Sequence, residues 1–124
     1  ALNLAAHIQA ARLEWLARLT SLPGVDAIFF DHAELGTVER MTADADERWE
    51  RYVQDLTEGE LGRLARYSNM QGDQKQCVVA DILTHVFNHA SYHRGQIAML
   101  VAQAGGEPAV TDFIFYAYRE PERP

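Results

Sequence analysis

The sequence predicts an all-α protein, an up-down helical bundle with a small hairpin or extended loop before its last long helix. Three observations carry this. Apolar residues recur at three- and four-residue steps in three separate stretches, the spacing of one helix face. The stretches break at Pro23-Gly24, at Thr57-Glu58-Gly59 and at Gly105-Gly106 with Pro108, where glycine or proline ends a helix. A cluster Asn69-Met70-Gln71-Gly72-Asp73 lies between two short runs, the pattern of a turn.

The first helix is expected over about residues 2–20, where Leu4, Ile8, Ala11, Trp15 and Leu19 share a face. The second is expected to start near Asp31, with Glu34 three residues on as in a capping box. Leu35, Val38, Thr42, Ala45, Trp49, Tyr52 and Leu56 then keep helical spacing, and Asp44, Asp46, Glu47, Glu50 and Arg51 take the other faces. Leu64-Ala65-Arg66-Tyr67-Ser68 and Gln76-Cys77-Val78-Val79 flank the Asn/Gly/Asp cluster and supply the hairpin or loop. The third long helix is expected over about 80–104, with Ile82, Leu83, Val86, Phe87, Ala90, Ile97, Leu100 and Val101 as its apolar residues. Gly105-Gly106 followed by Pro108 is the usual order of a helix stop. The aromatic tail from Asp112 to Tyr118 is expected to pack across the bundle end.

The chain has 124 residues, enough for one domain (1–124) and too few for two. With 48% hydrophobic and 23% charged residues it can build a core. The net charge of -7 opposes binding to phosphate backbones or anionic lipid, so neither nucleic acid nor a membrane is an expected partner. Arg48, Arg51, Arg63 and Arg66 are interleaved with acids or apolar residues and read as a solvated face. The single cysteine, Cys77, lies in an apolar run and reads as a small buried hydrophobe. One cysteine permits no internal disulfide, which fits a reducing, cytoplasmic setting. The sequence opens on Ala1, already inside a helical pattern, which suggests further chain upstream.

The chemistry is concentrated in the histidines. His85, His89 and His93 are spaced by four residues, so neighbours share one helix face about 6 Å apart along the axis. Two imidazoles at that spacing form a chelating pair. Unpartnered histidines on an apolar face would cost a few kcal/mol of desolvation, which a metal removes by taking the lone pair. The full set spans about 12 Å, so only an adjacent pair can share one ion. His7, between Leu4 and Ala11 on the inward face of the first helix, supplies a third ligand. His32 reads as an ordinary hydrogen-bonded core histidine.

The segment His85-Val86-Phe87-Asn88-His89-Ala90-Ser91-Tyr92-His93-Arg94-Gly95-Gln96-Ile97 resembles the signature helix of the DinB-like superfamily, bacterial metal-binding four-helix bundles. The likeness continues through Gln103-Ala104-Gly105-Gly106 and Pro108 to Asp112-Phe113. His7-Ile8 with Trp15-Leu16-Ala17-Arg18-Leu19 is similar to the family's second helix. The resemblance implies a three-histidine site open to water, with His7, His89 and His93 as ligands and His85 beside them. Family members include bacillithiol-using thiol S-transferases and mycothiol-dependent maleylpyruvate isomerases. The family's usual first helix has no counterpart here, which implies an apolar edge for a partner or a further segment to cover.

Two functional classes follow. One is an enzyme, a hydrolase or thiol S-transferase in which a divalent ion assists attack of water or a low-molecular-weight thiol on a small electrophile. There His85, Tyr92 or Arg94 would support the ligands or orient substrate, with Arg94 reading equally as half of a structural ion pair, Gly95 would admit a neighbouring helix, and Gln96 would bond to one. The other is a non-catalytic, metal-stabilised dimer acting as a sensor or binding module. An iron–oxygen site of haemerythrin type would need inward carboxylates, and the acids lie outward or in loops. Three imidazoles suit zinc or nickel, with iron or manganese next.

The first helix also carries Leu2, Leu13 and Leu16 off its main stripe, more apolar surface than one neighbour covers. A homodimer is therefore expected, and light scattering at micromolar concentration checks it; a stable monomer would show that the chain covers this surface itself.

Overall fold

The computed structural model describes residues 1–119 and 121. Its elements are α1 (Leu2–Thr20), α2 (Leu35–Gln54), α3 (Glu58–Leu61), β1 (Leu64–Ser68), β2 (Gln74–Val78), α4 (Val79–Gln103) and α5 (Phe113–Ala117). The fold is mostly helical, with one two-stranded antiparallel hairpin.

Helix α1 is the centre of the molecule. Every residue from Leu4 to Thr20 is buried or half-buried. Helices α2 and α4 pack on it, and β1 touches it as well. Of the additional apolar residues of α1, Leu16 is buried and Leu13 packs half-buried against the core, whereas Leu2 stays 40% exposed.

Residues 21–34 cover a further side of α1 and run back along it. The Val25 N–H donates to Glu14 Oε2 at 3.0 Å. The Ile28 carbonyl lies 2.5 Å from His7 Nδ1. Asn3 closes the run, donating to the Asp31 carbonyl at 3.0 Å and accepting from the Ala33 N–H at 2.8 Å. Gly24 at its start leaves room for the Glu14 carboxylate, which a Cβ there would push aside. An extended segment of this length reaches roughly 45 Å, ample to return along a helix of about 28 Å.

This return changes the topology. Contacts between α1 and α2 advance in the same sense: Asn3 with Ala33 just before α2, then Arg12 with Asp46 and Trp49, then Thr20 beside Leu56 just after it. Helices α1 and α2 are therefore parallel, and the up-down expectation is corrected. Helix α4 runs antiparallel to α1, since His7 meets His89 while Leu19 joins Val79 and Ile82. The expected second-helix start at Asp31 is corrected for the same reason. The backbone at 31–33 is held by Asn3, and α2 begins at Leu35 with Glu34 as its N-cap and no side-chain cap bond.

Thr57-Glu58-Gly59, expected as a stop, begins the one-turn helix α3, with Thr57 accepting from the Glu60 N–H. Tyr52 donates to Glu60, which pairs with Arg63, and Arg63 reaches the Leu19 carbonyl. Burial and the Glu60 carboxylate push the Tyr52 hydroxyl up to about 12. The hairpin pairs Leu64 with Val78 and Ser68 with Gln74. Its turn is closed by Asn69 Oδ1, which accepts from the Gln71 and Asp73 N–H groups. Helix α4 ends where the glycines require: Gly105 has φ 85°, and the N–H groups of Gly105 and Gly106 return to the Ala102 and Val101 carbonyls.

The core gathers Leu16, Leu19, Ala45, Trp49, Ala65, Val79 and Ile82 at one end of α1, with Cys77 half-buried against it. The Arg48–Asp44 and Arg51–Glu47 pairs lie on the outer face of α2. His32 is exposed, not in the core. The tail forms α5, but Phe113, Ile114, Phe115, Tyr116 and Tyr118 all remain exposed. No described helix is long and apolar enough to cross a membrane.

Ser21 caps α1 with φ 58°, the single non-glycine residue with positive φ among those described. Relieving its Cβ makes Ser21→Gly stabilising by about 0.5–1 kcal/mol, read as a raised melting temperature.

Candidate metal centre

The site lies at the end of α1 away from the core. His7 is 7% exposed, on the stretch of α1 that faces α4. His89 and His93, one turn apart on α4, face it. The three ring centroids are separated by 5.0 Å for His7 and His89, 4.7 Å for His7 and His93, and 4.5 Å for His89 and His93. One ring nitrogen from each lies within 4.8 Å of the other two, an arrangement that can hold a metal ion.

Two of the rings are oriented from behind. A backbone carbonyl only accepts, so the contact to Ile28 makes His7 Nδ1 the protonated nitrogen and leaves the Nε2 lone pair free. His93 repeats the device, its Nδ1 lying 2.6 Å from Gln96 Oε1. His7 Nε2 and His89 Nε2 are 3.2 Å apart. Two ligand nitrogens on a tetrahedral zinc stand about 3.3 Å apart, given bonds of about 2.0–2.1 Å. Burial, helped by His93, His7 and His85, pushes the His89 imidazole down to about 4. It is neutral near pH 7, the form that ligates metal. The donor set thus fits an ion in its number, in the tautomers of His7 and His93, and in the His7–His89 spacing.

The sequence-predicted residues divide. His85 lies beside His89, with centroids 5.5 Å apart, and edge-on to Trp15. Tyr92 stands 5.2 Å from His93. Arg94 bonds Ser91 and lines clefts on other sides of α4; it is not brought to the pocket that contains His7 and His89. Gly95 faces open space, so the close helix approach expected there is not made. Gln96 supports His93 within its own helix instead of bonding a neighbour.

Sequence reasoning missed Ile28 and Phe29. Phe29 stacks on His7 at 4.9 Å with the rings 10° from parallel. The signal available for Phe29 was the aromatic pair Phe29-Phe30 in the connection between the first two long helices. Beside the site opens a pocket of about 330 Å³ that includes His7, His89, Trp15, Arg18, Phe29 and Met70.

A sequence profile described as the DinB family matches residues 1–123. The chain belongs to the DinB family. It is also similar to "Protein DinB" of Bacillus subtilis (strain 168), at 27% identity over 122 residues, covering 94% of this chain and 71% of that protein. No solved structure matches significantly. The resemblance noted in the sequence therefore holds over nearly the whole chain, and the DinB-family fold here brings His7, His89 and His93 together.

The supports behind the rings yield a prediction. Gln96→Leu is expected to lower metal affinity roughly 10- to 100-fold with little change in helicity, measured by titration against a competing chelator. Unchanged affinity would show that His93 needs no such support.

Proposed function

We propose that this DinB-family chain is a divalent-metal protein whose ion, held by His7, His89 and His93, serves a hydrolase or thiol S-transferase acting on a small electrophile. The observation that carries the reading is the convergence of three imidazole nitrogens beside an open pocket. A catalytic site needs that openness, whereas a purely structural ion is closed off by its ligands. When bound, the ion supplies Lewis acidity that brings water or a thiol towards ionisation near neutral pH.

The chain's own residues hold and shield. Ile28 and Gln96 fix the tautomers of His7 and His93. Phe29 covers one face of the His7 ring. In this reading His85 and Tyr92, outside the lining of that pocket, support the His89 and His93 rings that they touch. An all-imidazole donor set favours zinc or nickel over oxygen-seeking ions. The histidine cluster includes no carboxylate among the described residues, which argues against a bridged di-iron site.

A second reading, a metal-stabilised dimer acting as a sensor or binding module, draws on Phe87, Phe113, Phe115 and Tyr116, which are all exposed. A second copy of the chain would cover them. Both readings place the protein in the cytoplasm, in keeping with its single cysteine.

Elemental analysis of untagged protein tests the metal. Wild type is expected to carry close to one ion per chain and His89→Ala far less. Equal content in the two would overturn the site. Native-state binding adds about 4 kcal/mol at free metal a thousandfold above Kd, so chelation is expected to lower the melting temperature of wild type and not of the variant. Thiol conjugation of an aryl halide then separates the readings, since only the enzyme loses turnover with His89→Ala.

A further inference from the structure

Arg18 differs from Arg12, the other half-buried arginine among the described residues. Arg12 has Asp46 and Gln9. Among the described residues Arg18 makes no hydrogen bond, and its Nε is buried without a partner. Its side chain is only 13% exposed. The nearest carboxylate, Glu14, is 3.8 Å from Nε, beyond hydrogen-bond range. That carboxylate is occupied, accepting from the Val25 N–H beneath Gly24. The guanidinium carbon sits 4.5 Å from the centre of the Trp15 ring and 4.8 Å from that of Tyr67. The two rings hold a planar cation in place but supply no acceptor.

Arg18 lines the same pocket as His7 and His89. It lies three turns beyond His7 on α1, about 16 Å along the axis. Both side chains tilt towards the helix N-terminus, but the longer arginine, its guanidinium over Trp15, reaches back further and leaves a gap on the order of 10 Å to the histidines. Trp15, Ala11 and Met70 line the pocket with them.

We propose that Arg18 is the anion-binding residue of this pocket, and that its ligand is an elongated molecule bearing one carboxylate about 10 Å from the group that meets the histidines. The second half of that statement rests on the metal reading; the first does not. The planar guanidinium matches a carboxylate in two parallel hydrogen bonds. Glu14, close by, already offsets part of the charge, so a single carboxylate is accommodated better than a doubly charged phosphate.

Octanoate and octanol, titrated separately into nitrogen-labelled protein, test the carboxylate site without metal. The Arg18 Nε–H signal is expected to shift with octanoate and not with octanol. Arg18→Gln is expected to weaken octanoate binding roughly ten- to hundredfold and leave octanol unchanged, with Arg18→Lys between them. A purely structural Arg18 would move the melting temperature of the variants but would not separate acid from alcohol. If Arg18→Gln does not fold, the wild-type Nε–H signal decides alone. Equal shifts with both probes, or none with either, overturn the proposal. Mercaptooctanoate and mercaptooctanol, with and without zinc, then separate the two readings. Acid selectivity that depends on Arg18 but gains nothing from zinc keeps the anion site and counts against the metal reading. Zinc-enhanced binding of both thiols without acid selectivity does the reverse.

Discussion

The contact between His7 and the Ile28 carbonyl joins the fold to its chemistry. A buried imidazole needs a partner for its N–H, and the returning segment provides one. The same contact anchors the middle of that segment, with Glu14 and Asn3 anchoring its two ends. Once residues 21–34 lie along α1, α2 must start beside the N-terminus of α1 and run parallel to it. The burial of α1, the direction of α2 and the tautomer of His7 are consequences of one polypeptide path.

That path was the least legible part of the sequence. Helical periodicity located α1 and α4 closely, because each keeps its apolar spacing until a backbone signal stops it. Gly105-Gly106 was such a signal, and its geometry is realised. The start of α2 was misplaced because Asp31 and Glu34 have cap-like spacing, a local preference that distant bonds from Asn3 override. Thr57 is the converse, a working N-cap hidden by the expectation of a stop at Gly59. The direction of α2 depends on contacts between residues about thirty apart, which periodicity does not encode.

The site was more legible. The four-residue spacing of His89 and His93 and the inward phase of His7 are properties of single helices, and two helices facing one another suffice to bring them together. What surrounds the histidines was harder to read. Gln96 serves its own helix, one turn on from His93, a relation visible in spacing but overlooked in favour of longer reach. Ile28 acts through its backbone, so its identity carries no chemical signal. Arg94 was expected to support the ligands or orient substrate, yet it lies one residue past His93, about 100° of rotation on a helix, enough to carry it to another face.

The hairpin turn has a consequence for how such a protein diversifies. Its backbone is closed by the side chain of Asn69, so its shape does not depend on Met70 or Gln71. Those two residues nevertheless line the pocket beside His7 and His89. Selection can therefore exchange them freely, re-cutting the wall that a small molecule meets while the imidazoles and the core stay as they are. That part of the pocket wall can be edited apart from the core, while Ala11 and Trp15 tie the rest of it to α1.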